Sequence, residues 1–102
     1  MAVTTATIDG GVKAQALAIL EQLRGRLASQ GMSFRDVVFL RAYLVPRADG
    51  TVDRDGWNAA YTVFFNNPKQ PHKPARVTIP VYSLPEANAS IAIDLIAARP
   101  EP

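Results

Sequence analysis

An α+β domain with its helices packed on one face of a single sheet is the architecture encoded in these 102 residues, and three patterns carry that reading. Ala16, Leu20, Leu23 and Leu27 recur at helical spacing as one apolar stripe. Val37 to Val45 is a near-continuous apolar, β-branched run closed by Pro46. From Ala75 onward apolar and polar residues alternate with the period of a strand.

The stripe predicts a helix over residues 12–30, started near Asp9 or Gly10 and ended by Gly31 at a left-handed cap. Ser33 with Asp36 three residues later has the spacing of a capping arrangement for a short turn. The run 37–45 then reads as a central strand buried on both faces. Arg47 to Gly56 is polar, with Asp49-Gly50 as its turn signal, and Asp53-Arg54-Asp55 suits a solvated helix start. A second helix runs through Trp57, Tyr61, Phe64 and Phe65, whose spacing marks an aromatic core stripe rather than a cofactor box. Asn66 to Pro74 holds three prolines and no periodicity, so it reads as a stiff loop. Strands at 75–83 and 89–97, joined by Leu84 to Asn88, close the chain. Pro80 suits an edge or a bulge better than a central position. At the front, Val3 to Ile8 could supply one short strand. A single domain over 1–102 accounts for all of these elements.

Composition narrows the function classes. No apolar run approaches the ~18 residues of a membrane helix, and no secretory signal precedes the first element, so a cytoplasmic location is the default. The chain has no cysteine, which excludes disulfides, thiolate nucleophiles and cysteine-held metals. The net charge is +2 and the pI about 9.3, but the eleven cations are dispersed rather than gathered into a stripe, so nucleic acid is not the expected partner.

Arg76 is the most informative residue. In Ala75-Arg76-Val77-Thr78-Ile79-Pro80-Val81 the alternation sets Ala75, Val77, Ile79 and Val81 on one face, and Arg76 with Thr78 on the other. A guanidinium on rigid backbone presents a planar fork suited to a carboxylate. A surface or salt-bridged arginine is the competing reading. Other candidates carry less. His72, between Pro71 and Lys73, has no ligand-spaced partner and is expected to be solvent-exposed. No serine sits in a Gly-x-Ser-x-Gly elbow. Asp49 to Asp53 lacks the closing glutamate of a calcium loop, and Gly10-Gly11 falls short of a phosphate loop. No cofactor and no metal are expected.

Taken together, Gly31-Met32-Ser33 leading into Asp36-Val37-Val38, then Trp57-Asn58-Ala59-Ala60-Tyr61 with Phe64-Phe65, then Pro74-Ala75-Arg76, Leu84-Pro85 and Ile91-Ala92-Ile93, resemble the RidA (YjgF) family from about Gly10 to Ala97. The resemblance implies a chorismate-mutase-like fold, a mixed sheet with two helices on one face, and a homotrimer with clefts between subunits. It implies hydrolysis of 2-imino or 2-enamino acids to 2-keto acids and ammonia with no cofactor, and composition adds that no nucleic acid and no membrane are expected as partners. Arg76 then takes the place of the arginine that holds the substrate carboxylate, with Thr78 and Asn58 lining the same pocket.

The chain departs from the family pattern twice. The family triplet Ile-Glu-Ile, whose glutamate orients the attacking water, is here Ile91-Ala92-Ile93. Losing a general acid/base costs ~100- to 10,000-fold in rate. Asp94 shares that strand face but stands ~6.6 Å further along it. The family's front strands are also shortened or missing: the start is truncated, an early piece lies on another chain, or the protein manages without it. A non-catalytic trimeric binding or interaction module is therefore the alternative to a deaminase. The ribonuclease activity sometimes attached to the family lacks a general base pair and a basic groove in this sequence.

Overall fold

The computed structural model describes residues 2–5, 11–85 and 88–98. Its elements are β1 (Ala2–Thr5), α1 (Val12–Ser29), a 3-10 turn (Phe34–Asp36), β2 (Val37–Leu44), α2 (Arg54–Phe64), β3 (Ala75–Pro80) and β4 (Ile91–Ala97). The sheet is mixed and four-stranded, in the order β1-β4-β2-β3. β2 and β3 run parallel, and α2 supplies the crossover that a parallel pair requires. β4 lies antiparallel on the other side of β2, and β1 antiparallel beyond it.

Helix α1 follows its apolar stripe: Ala16, Ile19, Leu20, Leu23 and Leu27 are all buried. Asp9 and Gly10, read as its start, lie outside the described residues, and Gly11 is the N-cap. At the other end Gly31 takes φ of +73°, the left-handed conformation that favours glycine. The next turn is closed by a reciprocal capping box. Ser33 Oγ accepts from the Arg35 amide at 3.2 Å, and Asp36 Oδ2 accepts from the Ser33 amide at 2.9 Å. Asp53 caps α2 through Oδ1, which accepts from the Gly56 amide at 2.9 Å.

The core lies between the helices and one face of the sheet. Leu40, Ala42 and Leu44 of β2 and Ile91, Ile93 and Leu95 of β4 form one buried cluster there with α1 and with Trp57, Ala60, Tyr61 and Phe64 of α2. Gln15, a buried amide, ties α1 to the segment before β4: its Nε2 donates to the Asn88 carbonyl at 3.1 Å and its Oε1 accepts from the Ser90 amide at 2.7 Å.

Three expectations are corrected. β2 is central, but only its helix-side residues are sealed; Phe39, Arg41 and Tyr43 on the opposite face are half-buried, because no helix among the described residues covers that face. The strand read over 75–83 ends at Pro80, which removes a ladder donor and sits on an edge strand. His72 is half-buried rather than solvent-exposed: its Nε2 lies 2.6 Å from the Val37 carbonyl and pins the loop to the start of β2. The short front strand is present as Ala2–Thr5, and Ala6 to Ile8 fall outside the described residues.

Candidate functional site

β3 delivers Arg76 to α2. The parallel register sets Arg76 beside Leu40 and Thr78 beside Ala42, so both belong to the helix side of the sheet. Ala75, Val77 and Ile79 fall on the open side, beside Phe39, Arg41 and Tyr43. On α2, Asn58 and Tyr61 are three residues apart and share a helix face. Arg76 meets both. Its Nη1 donates to Asn58 Oδ1 at 2.9 Å, and its Cζ stands 4.0 Å from the centroid of the Tyr61 ring. The guanidinium is thus held over an aromatic face by a cation–π contact and tethered by an amide.

That aromatic face is rigid because it belongs to a packed column. Tyr61 stacks on Phe65 with ring centroids 5.0 Å apart, and Trp57 meets it edge-on at 5.9 Å. Phe65 in turn packs on Phe34 at 4.8 Å. Tyr61 is only 4% exposed, so Arg76 lies over it as a cover. Burial pushes the Tyr61 hydroxyl above its ordinary range, opposed by the charge of Arg76. No carboxylate among the described residues lies within ion-pair range of Arg76. Of the competing reading, the salt bridge is absent among the described residues, whereas the surface placement holds: Arg76 is exposed, with guanidinium donors beyond the one given to Asn58.

The open side of the sheet carries a second polar constellation. Asp94 of β4 pairs with Arg41 of β2 through two parallel bonds, Nε to Oδ1 at 2.8 Å and Nη2 to Oδ2 at 2.6 Å. Tyr43 donates its hydroxyl to Asp94 Oδ2 at 3.1 Å. Asp94 is 3% exposed. Burial, then this hydrogen bond, pushes the Tyr43 hydroxyl up, and the bond to Asp94 raises Arg41 against the opposing cost of desolvation. Ala92 is buried on the same face, directly across from Tyr43.

The sequence-derived residues therefore divide. Arg76 and Asn58 are in contact, with Thr78 two residues along the same face. Ala92 and Asp94 lie on the other side of the sheet, with β2 between their strand and β3. Asp94 accepts three hydrogen bonds from side chains, which leaves it poorly placed to replace the missing glutamate. Sequence pattern alone sets Tyr61 in a core stripe and Arg41 in a strand interior. Tyr61 sits three positions after Asn58, the one available signal that it shares the Arg76 surface. Arg41 stands out only as a lone cation in a run otherwise apolar. Among the described residues no cluster of His, Asp or Glu could hold a metal ion.

With this geometry in place, the chain can be set beside known proteins. The family described as endoribonuclease L-PSP matches residues 1–99, and the chain belongs to this family, the YjgF/RidA family. No curated protein matches it by sequence. Among solved structures it is similar to a candidate endoribonuclease from Thermotoga maritima, with a TM-score of 0.81, 24% identity, and coverage of 98% of this chain and 77% of that one. Escherichia coli TdcF with bound serine superposes with a TM-score of 0.80 at 22% identity, covering 97% of this chain and 78% of that one. A YjgF/YER057c/UK114 family member from Mycobacterium tuberculosis gives a TM-score of 0.77 at 21% identity, covering 94% and 74%. At these identities the likeness speaks for the fold, a YjgF-type α+β domain. No helix among the described residues is long and apolar enough to cross a membrane.

Proposed function

We propose that the protein binds a small carboxylate-bearing metabolite through Arg76, with Asn58 and Thr78 beside it, and that its ligand is a 2-imino or 2-enamino acid. The observation that carries this reading is the state of Arg76. Its guanidinium is stacked on Tyr61, fixed by Asn58 and without a carboxylate partner among the described residues. A donor fork held in one orientation loses little freedom when a carboxylate docks on it.

Hydrolysis is the reaction this pocket would serve. Water adds to the electrophilic carbon of the protonated C=N bond, the C–N bond of the resulting carbinolamine breaks, and a 2-keto acid and ammonium leave. Arg76 neutralises the carboxylate throughout, so charge at the reacting centre is not opposed. Ala92 offers neither acceptor nor base to the water, and Asp94 is engaged by Arg41 and Tyr43. The turnover supported here is correspondingly slow, relying on the intrinsic lability of the imine. The same observation favours a second reading, a binding module that keeps the arginine without the chemistry. In either reading the assembly is a homotrimer, supported by an open sheet face on which Val77 and Ile96 are 42% and 40% exposed.

Conversion of 2-iminopropanoate to pyruvate, with pyruvate binding followed in parallel, tests both. Wild-type turnover that vanishes in Arg76→Ala establishes the deaminase. Pyruvate binding lost in Arg76→Ala, without turnover in wild type but with a gain in Ala92→Glu, establishes the binding module. Pyruvate binding and turnover both indifferent to Arg76→Ala overturn the carboxylate reading.

A further inference from the structure

A groove of about 530 Å³ opens between the 3-10 turn, the C-terminal end of α2 and the loop that follows it. Phe34 and Phe64 form its floor, Arg35 and Lys69 stand on its walls, and Gln70 and His72 complete the rim. We propose that this groove is a second binding site, separate from Arg76, for a small anion with a flat apolar body such as an aromatic carboxylate or sulfonate.

The charge of the groove comes first. Both lining cations lack a carboxylate within ion-pair range among the described residues, and no Asp or Glu lines the groove. The C-terminal end of a helix would ordinarily oppose an anion. Here that end is capped: Asn67 Nδ2 donates to the Thr62 carbonyl at 2.7 Å and to the Val63 carbonyl at 3.3 Å. The carbonyl oxygens that carry the negative end are thereby offset by an amide donor.

The same asparagine builds the rim. Asn67 Oδ1 accepts from the Lys69 amide at 3.0 Å and the Gln70 amide at 2.9 Å, and the Asn67 and Gln70 backbones pair reciprocally. Asn66, in the left-handed region at φ +53°, donates its amide to the His72 carbonyl at 3.0 Å. Lys69 therefore stands on a loop closed by its own hydrogen bonds, which lowers the ordering cost of binding. His72 Nε2 lies 2.6 Å from the Val37 carbonyl, which ties this side of the rim to the start of β2.

Size and floor choose the ligand. The volume is that of a small-molecule site. Phe34 and Phe64 meet edge-to-face at 5.4 Å and are 5% and 6% exposed. They offer a shallow apolar floor, not the exposed ring faces on which successive nucleic-acid bases stack. A compact aromatic anion fits both the floor and the two cations.

The test uses naphthalene-2-sulfonate as the probe and uncharged 2-naphthol as its shape match, titrated into the whole chain and followed by amide NMR shifts. Saturable sulfonate binding is expected, with shifts concentrated at Arg35, Lys69, Gln70 and His72. Arg35→Gln and Lys69→Gln should each weaken it about tenfold, the loss of one charge-assisted contact. 2-Naphthol should bind about tenfold or more weakly, and Arg76→Ala should leave sulfonate affinity unchanged. Absence of saturable binding, shifts centred on the open sheet face, equal affinity for 2-naphthol, or indifference to both cation variants would each overturn the proposal.

Discussion

Tyr61 decides where the charge of Arg76 can rest. A guanidinium 4.0 Å above a ring that is itself stacked on Phe65 has little room to swing. In the proposed carboxylate site this makes Tyr61 a positioning residue. Tyr61→Phe keeps the ring and should hold pyruvate affinity within about twofold, whereas Tyr61→Leu removes the π face and should weaken it about 3- to 10-fold. Ring-current displacement of the Arg76 side-chain protons, present in wild type and in Tyr61→Phe and lost in Tyr61→Leu, checks the contact without any ligand. Arg76 and Asn58 were legible in sequence, one from strand alternation and chemistry, the other from resemblance. Their contact was not, because it joins residues 18 positions apart whose meeting depends on how α2 crosses the sheet. The Arg41–Asp94 pair was hidden for the same reason, at a separation of 53.

At the scale of elements, local signals were enough wherever the determinant is local. The α1 stripe, Gly31 at its end, the Ser33–Asp36 box and the Asp49-Gly50 turn all follow from a few neighbouring residues, and each is present. β2 is sealed on one face and half-covered on the other, a difference hidden in the sequence, since composition alone cannot say whether a second layer exists to cover an apolar strand. Gln15 was silent in sequence although it is 1% exposed, because a polar residue inside a helix ordinarily marks the wet face. Its amide replaces backbone partners for Asn88 and Ser90, across 73 and 75 residues. Gln15→Leu removes both part-buried hydrogen bonds, to the Asn88 carbonyl and from the Ser90 amide, and should cost about 1–3 kcal/mol of stability. Chemical denaturation measures that loss, and amide exchange at Ser90 should accelerate with it.

At the scale of the molecule, the two faces of the sheet have different fates. One is sealed by α1 and α2; the other shows Phe39, Val77, Ile79 and Ile96 around an internally neutralised Arg41–Asp94 pair. Pairing the charges on the chain itself lets an apolar partner approach without stranding an ion. If three copies close on this face as proposed, native mass measurement gives three times the 11.1 kDa chain, and Val77→Asp yields the single chain. A single-chain mass for the wild type rejects the trimer. The strand order β1-β4-β2-β3 was the least legible feature, since nothing local tells β4 to pass its sequence neighbour β3 and join the far side of β2.

That order also governs inheritance of function. Arg76 and position 92 lie on opposite sides of the sheet, so no folded chain brings its own two together. A pocket that drew on both would be half owned by each of two subunits. A doubly altered chain, Arg76→Ala with Ala92→Glu, would then be inert by itself yet lend its glutamate to a wild-type neighbour's arginine. Such a protein is one in which a defective copy can be a donor.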